Sequence, residues 1–155
     1  MVRLLWEIIL PGVIGVSNPI SCRVLVVDDY PPWRRSLCSI LHKNPSLLVV
    51  GEAEHGFEAL QKANELKPDL ILLDIHLPDI DGIEVSSRIG HLIPGTKILF
   101  VSQVKNLDIV KAAMGDGIKG FVWKMDAATE LLPAIEMVLR GERFISKGIK
   151  ARALR

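Results

Sequence analysis

Short runs of consecutive apolar residues alternate with longer segments of helical periodicity from residue 23 onward. Each run is too short for an ordinary helix, and its unbroken apolar character is typical of a parallel strand that is buried on both faces. The alternation predicts βα units that build one parallel sheet covered by helices on both sides. The predicted strands are 23–27, 47–50, 70–73, 98–101 and 120–123.

The segments between these strands have recognisable helix boundaries. The first predicted helix opens at Pro31-Pro32 and stops at Asn44-Pro45, because proline suits the first turn of a helix and cannot continue its body. The third opens at Asp81 with Glu84 in its first turn, which predicts that both acids cap free backbone amides. The five helices are expected to begin near Pro31, Phe57, Asp81, Asn106 and Ala127.

The βα units follow one another without a gap, so residues 22–145 are predicted to form one doubly wound domain with right-handed crossovers. Residues 146–155 are expected to be a basic tail or the start of a linker. Residues 1–21 form an extension of unknown role. Its apolar start resembles a secretion signal superficially, but Glu7 and Pro11 interrupt the apolar stretch, which is also too short to cross a bilayer.

Composition restricts the class of protein further. The chain has 155 residues, of which 49% are hydrophobic and 24% are charged, and a formal net charge of +1. This is an ordinary globular composition with no overall electrostatic bias toward nucleic acid or an anionic membrane. Two cysteines, Cys22 and Cys38, are too few for a disulfide scaffold, so we expect a reducing, cytoplasmic location and no membrane contact.

Polar residues stand directly after four of the predicted strands. Asp28 and Asp29 follow the first, Asp74 the third, Ser102 the fourth and Lys124 the fifth. In an open parallel sheet these positions share one edge, where ligands bind. Three carboxylates that meet there need a cation to stay ionised, and Mg²⁺ suits such oxygen ligands. A carboxylate in such a site can attack phosphorus and form an aspartyl phosphate.

The segments "VLVVDD", "LILLDIHLPDIDGIE", "ILFVS" and "GFVWK", in this order, closely resemble the receiver domain of bacterial response regulators of the CheY-like superfamily. The resemblance covers residues 22–145. It implies a flavodoxin-like receiver fold with a five-stranded sheet in the order 2-1-3-4-5. It also implies a signalling domain, not an enzyme, that accepts a phosphoryl group from a sensor histidine kinase with Mg²⁺ as cofactor.

The resemblance assigns a role to individual residues at this edge. Asp74 is implied as the phosphoacceptor and Lys124 as the counter-ion of the phosphoryl group. Ser102 is implied as the hydroxyl that holds the phosphoryl group, and Phe121 as the aromatic residue of the conformational switch. The implied metal ligands are Asp28, Asp29, Asp74 and the backbone carbonyl of His76.

The segment "GFVWKMDAATELLPAIEMVLRGERFIS" resembles the NarL/FixJ-type subgroup, whose members typically continue into a helix-turn-helix domain that binds DNA. The residues that follow Ser146 are too few for such a domain. We therefore expect either a single-domain receiver or the receiver portion of a longer regulator, with no direct DNA binding by this chain alone. A homodimer is left open.

Two alternatives depend on departures from the family pattern. Gln103 stands where the family usually has a small residue and would narrow the approach to Asp74, which favours a pseudo-receiver that binds partners without carrying phosphate. An aspartate-nucleophile phosphatase also uses a strand-end acid with Mg²⁺. Those enzymes typically carry a second aspartate two residues after the nucleophile, where this chain has His76, so proton transfer to the leaving group is unsupported.

Overall fold

Six parallel strands form the central sheet in the order β2-β1-β3-β4-β5-β6. The structure is a computed structural model that describes residues 21–115 and 117–153. The strands are β1 (Cys22–Val27), β2 (Leu47–Ala53), β3 (Leu70–Leu73), β4 (Lys97–Ser102), β5 (Gly120–Trp123) and β6 (Phe144–Ile145). The helices are α1 (Pro31–Leu41), α2 (Gly56–Leu66), α3 (Gly82–Leu92), α4 (Leu107–Ala113), α5 (Ala127–Leu139) and α6 (Lys147–Ala153), with a 3-10 turn at Lys124–Asp126 before α5.

The doubly wound, flavodoxin-like parallel fold is confirmed, with the first five strands in the expected order. The sheet has six strands instead of the predicted five, because β6 pairs with β5 through Gly120 to Phe144 and Phe121 to Ile145. Two apolar residues are too short a run to predict a strand, so only the pairing of β6 with β5 identifies it.

The residues after 145, expected to be a basic tail or the start of a linker, include a helix. Lys147–Ala153 form helix α6, and the side chain of Ile149 is only 2% exposed. The packed part of the domain therefore extends past the boundary drawn from the sequence. The N-terminal extension, apart from Ser21, lies outside the described residues.

Each face of the sheet has its own hydrophobic core, as the all-apolar strands predicted. Leu70 and Leu72 of β3 pack in the core beneath α1 and α5, whereas Ile71 and Leu73 pack in the core beneath α2, α3 and α4. All four side chains are completely buried, which agrees with alternate residues of a strand pointing to opposite faces. No helix among the residues that the structure describes has the length and apolar character to cross a membrane.

Asp81 caps α3 as predicted, because its Oδ1 accepts a hydrogen bond from the backbone amide of Glu84 at 2.9 Å. Glu84 itself does not complete the expected arrangement. Its carboxylate instead accepts from Arg88 Nε at 2.7 Å, one turn further along the same helix. Asn106 caps α4 by accepting from the first amides of that helix.

Helix α2 is capped by a residue from a different loop. Asp79, in the loop after β3, accepts from the amides of Gly56 at 2.7 Å and Phe57 at 2.9 Å, while His55 provides no side-chain cap. Desolvation opposes ionisation of Asp79, but the amides of Phe57, Gly56 and Ile80 outweigh it and lower the pKa of Asp79 to about 2. The loop after β3 is thereby tied to α2.

We predict that Asp79→Ala destabilises the protein by about 1 kcal/mol, the usual cost of losing a helix cap. The folded-state pKa of Asp79 lies below its ordinary value, so this stability is present at neutral pH and is lost as the pH falls towards about 2. Urea unfolding at several pH values measures the difference, with the exposed Glu136→Ala as control. An equal loss at neutral pH and near the lowered pKa would contradict an ionised cap.

Candidate functional site

The two buried aspartates occupy the ends of adjacent strands. Val27 and Leu73 are paired across β1 and β3, so Asp28 and Asp74 leave the sheet side by side, and the Asp74 amide donates to the Val27 carbonyl at 3.0 Å. Since β1 lies between β2 and β3, the chain turns away in opposite directions here and opens a crevice. Asp28 is 0% and Asp74 is 5% exposed.

Lys124 meets both carboxylates from the end of β5. Its Nζ lies 2.5 Å from Asp28 Oδ2 and 3.0 Å from Asp74 Oδ2, and its side chain is 4% exposed. Asp74 accepts a hydrogen bond from this ammonium, whereas the contact with Asp28 is an ion pair without hydrogen-bond geometry. Burial strengthens these attractions because little water screens them.

Backbone amides fix the other oxygen of each carboxylate. The amide of Tyr30 donates to Asp28 Oδ1 at 2.9 Å, and the amide of Ile75 donates to Asp74 Oδ1 at 2.7 Å. Both carboxylates therefore turn their Oδ2 atoms towards Lys124. The site is held in this orientation by the backbone of the two loops.

Burial raises the pKa of Asp74 above its ordinary value, and the neighbouring negative charge of Asp28 adds to this. The charge and hydrogen bond of Lys124 act in the opposite direction but do not cancel the effect. One lysine is thus not enough positive charge for two buried carboxylates. A further cation would favour their ionised forms.

The three acids fit a hard divalent cation. Carboxylate oxygens of Asp28, Asp29 and Asp74 lie within 4.8 Å of one another, and oxygen ligands of this kind suit Mg²⁺. Asp28 Oδ2 is buried yet receives no hydrogen bond from the described residues, while Asp29 is exposed to solvent. The side chain of His76 is exposed, and the metal-binding role of its carbonyl stays a prediction.

The predicted switch residues are both completely buried. Ser102 Oγ accepts from the amide of Val104 at 3.2 Å, so the hydroxyl holds the start of the loop between β4 and α4. The Phe121 ring lies on β5, with its centroid 6.4 Å from that of Phe100. Gln103, predicted to narrow the approach to Asp74, is exposed.

Arg34 holds the backbone next to the site, a role that was not predicted from the sequence. Its guanidinium donates to the Asp28 carbonyl at 2.7 Å and lies 2.6 Å from Glu54 and 3.4 Å from Glu52, with only 11% of its side chain exposed. This network joins α1 and the end of β2 to the loop that carries Asp28 and Asp29. Nothing in the spacing along the chain links Arg34 to those glutamates.

Two further neighbours of the site were also missed. The Trp33 ring on α1 has its centroid 5.3 Å from Lys124 Nζ, a cation–π distance. Gly82 begins α3 against the loop that carries Asp74, and a Cβ atom there would lie 2.1 Å from the Asp74 carbonyl oxygen. The "DG" pair signals a turn or a helix start in the sequence, but not this contact.

Comparison with known proteins agrees with the geometry. A family model of the response regulator receiver domain matches residues 24–136. The response regulator GacA of Pseudomonas viridiflava is 35% identical over 127 residues, which cover 82% of this chain and 59% of that protein. The response regulator protein VraR of Staphylococcus aureus is 35% identical over 122 residues, which cover 79% of this chain and 58% of that protein.

The chain therefore spans less than two thirds of the length of these relatives. Among solved structures, the two-component response regulator of the LuxR family from Aurantimonas sp. SI85-9A1 is similar with a TM-score of 0.79 and 29% identity. That similarity covers 87% of this chain and 99% of that one. The chain belongs to the response regulator receiver domain family, with relatives of the NarL/FixJ type.

Proposed function

We propose that Asp74 accepts a phosphoryl group from a sensor histidine kinase, with Mg²⁺ held by Asp28, Asp29, Asp74 and the His76 carbonyl. The observation that carries the proposal is the buried contact of Lys124 with both Asp28 and Asp74 at the end of the sheet. Membership of the receiver family supports the kinase as phosphodonor.

The chemistry follows from how the carboxylate of Asp74 is held. An oxygen of Asp74 attacks phosphorus and forms an O–P bond, while the bond from phosphorus to the donor imidazole nitrogen breaks. The imidazole leaves with the electron pair of that bond and is protonated by solvent. The Ile75 amide and Lys124 Nζ keep the carboxylate oriented during this step. Mg²⁺, when bound, supplies positive charge that offsets the charge of the phosphoryl oxygens.

The new charge is expected to act on the loop after β4. Ser102 lies at the same edge of the sheet as Asp74, and a rotation of its side chain that moves Oγ towards a phosphoryl oxygen would end its contact with the Val104 amide. Phe121 then has space to repack on β5. A local charge change would thereby alter the surface formed by α4 and β5.

We further propose that this surface controls a transcription-regulating output in the cytoplasm. Support comes from relatives that are named response regulators. We propose that this chain accepts the phosphoryl group from the kinase and does not turn over a separate substrate.

Intact-protein mass spectrometry after incubation with acetyl phosphate and Mg²⁺ tests the proposal. We expect one phosphoryl adduct on the wild-type chain and on Asp108→Asn, an exposed control, and none on Asp74→Asn, because the amide is a poor nucleophile. An adduct of equal yield on Asp74→Asn would rule out this phosphoacceptor. Omission of Mg²⁺ should reduce the adduct strongly.

The same samples separate the alternatives. A wild-type chain that takes no phosphoryl group and whose amide spectrum is unchanged by Mg²⁺ with beryllofluoride would favour a pseudo-receiver. Catalytic turnover of a phosphate ester that Asp74→Asn abolishes would favour a phosphatase.

A further inference from the structure

Helix α6 is attached to the end of β5 and to the start of α5. The amide of Lys147 donates to Glu130 Oε1 and the amide of Gly148 donates to Asp126 Oδ2, both at 3.2 Å. Glu130 is 8% exposed, so this contact is partly shielded from solvent. We refer to Trp123, Asp126, Glu130 and Ser146 as the α6 dock.

The other contacts of the dock join Ser146, the residue before α6, to β5, the strand that carries the predicted switch residue Phe121. The amide of Ser146 donates to the Phe121 carbonyl at 3.0 Å, and the Ser146 hydroxyl accepts from the Trp123 amide at 2.8 Å. Ile149 of α6 packs in the same core as Phe121 and is 2% exposed. The helix thus covers the edge of the surface formed by α4 and β5.

The Trp123 ring links this helix to the loop after Ser102. On one side Lys105 Nζ lies 3.9 Å from the ring centroid, a close cation–π contact. On another side the ring is in contact with Gly148, where an added Cβ would lie 2.6 Å from Cε3 and 2.9 Å from Cζ3. Lys105 comes three residues after Ser102, in the loop that the Ser102 hydroxyl holds through Val104.

We propose that α6 is a docked cover of the α4–β5 surface, loosened when Asp74 is phosphorylated, with the Lys105–Trp123 stack as the link. This inference rests on the proposed phosphorylation of Asp74. It adds that helix α6 responds to this phosphorylation, although the contacts that hold α6 lie outside the phosphorylation site.

The contacts explain why phosphorylation of Asp74 would loosen α6 and not tighten it. When the Ser102 side chain rotates and carries Oγ to a phosphoryl oxygen, it releases the Val104 amide, and the loop that carries Lys105 is free to rearrange. Loss of the stack frees the Trp123 ring, against which α6 is packed without space for a side chain at Gly148. Because coupling between two sites is reciprocal, weaker docking of α6 must favour the phosphorylated state by the same factor.

Hydrogen exchange on the full chain tests the coupling, with Mg²⁺ and beryllofluoride as the phosphoryl analogue. We expect the amides of Lys147, Gly148 and Ile149 to exchange about 5-fold faster or more once the analogue is bound, the lower range of typical allosteric coupling. Amides in the middle of α5 should not change. Slower exchange in α6, or no change while the Ile75 amide reports binding, would overturn the proposal.

Reciprocity gives the matched mutational test. Gly148→Ala should push α6 away from Trp123 and bind beryllofluoride with Mg²⁺ about 5-fold more tightly. Gly90→Ala is the control, because it makes the same change in a helix where nothing lies within 4 Å of the added Cβ, and it should bind like the wild type. Equal affinities of the two variants would count against the coupling.

Lys105→Met provides a second route if Gly148→Ala does not fold, with the exposed Lys111→Met as control. Cutting the stack should speed α6 exchange before the analogue is added and shrink the change on binding. If the Ile75 amide of the wild type does not respond to Mg²⁺ and beryllofluoride, the proposed function fails and this inference fails with it. If it responds and α6 of Lys105→Met behaves like wild type, only this inference fails.

Discussion

Replacing Lys124 by methionine should destabilise the metal-free protein by about 3–5 kcal/mol, the usual cost of removing one partner of a buried ion pair. Methionine keeps most of the side-chain length but leaves Asp28 and Asp74 facing each other without the ammonium that both contact. Urea unfolding in a chelator measures the change. Lys111→Met, at an exposed position of α4, should stay within about 0.5 kcal/mol of the wild type.

Mg²⁺ should restore more stability to Lys124→Met than to the wild type, because without the ammonium the two carboxylates depend more strongly on the metal for positive charge. Adding Asp28→Asn to Lys124→Met should also recover stability, since it removes one of the two unpaired charges. If Lys124→Met unfolds at the same urea concentration as Lys111→Met, the buried charges do not depend on this lysine.

The second large effect concerns Gly82. Gly82→Ala should cost about 3 kcal/mol, because the new Cβ would lie 2.1 Å from the Asp74 carbonyl oxygen and 2.9 Å from Ile75 Cα. Both are backbone atoms, so the loop that carries Asp74 must move. We expect the same variant to lose phosphorylation by acetyl phosphate even at temperatures where it remains folded.

Gly90→Ala is the matched control, since it lies in the same helix α3 with open space around the added Cβ. It should be stabilised by up to about 1 kcal/mol from the better helix propensity of alanine. Urea unfolding of both variants, followed by mass spectrometry of the adduct, measures the contrast. Equal stability of Gly82→Ala and Gly90→Ala would show that the loop after β3 adjusts freely. We expect otherwise, because the Gly82 amide donates a hydrogen bond to the Ile75 carbonyl of that loop at 2.7 Å.

The strands β1, β3, β4 and β5 were predictable because most of their residues are buried on both faces of the sheet. β3 has four apolar residues in a row and all four are completely buried. The edge strand β6 has only two residues, both partly exposed, and no periodic pattern distinguishes it from a loop. Prediction of a strand therefore depended on an apolar run of several residues, which β2 also has although its Leu48 is exposed.

The acids and the lysine of the site were predictable for a related reason. Parallel strands bring their carboxyl ends to one edge, so residues directly after β1, β3 and β5 had to lie near one another. The supporting contacts of Arg34 with Glu52 and Glu54, and of Asp79 with Gly56, were not predictable. They join side chains to loops that are distant along the chain, with no strand to set their positions.

By itself, the sequence determined the parallel α/β architecture and the group of Asp28, Asp74 and Lys124 at one edge, because local apolar runs and strand direction are enough for both. Only the tertiary structure decided the docking of α6 on Trp123, the position of Gly82 against Asp74 and the remote cap of α2. Those contacts depend on distances of a few ångströms between segments that meet only after the helices have packed on the sheet, and no local pattern encodes such distances.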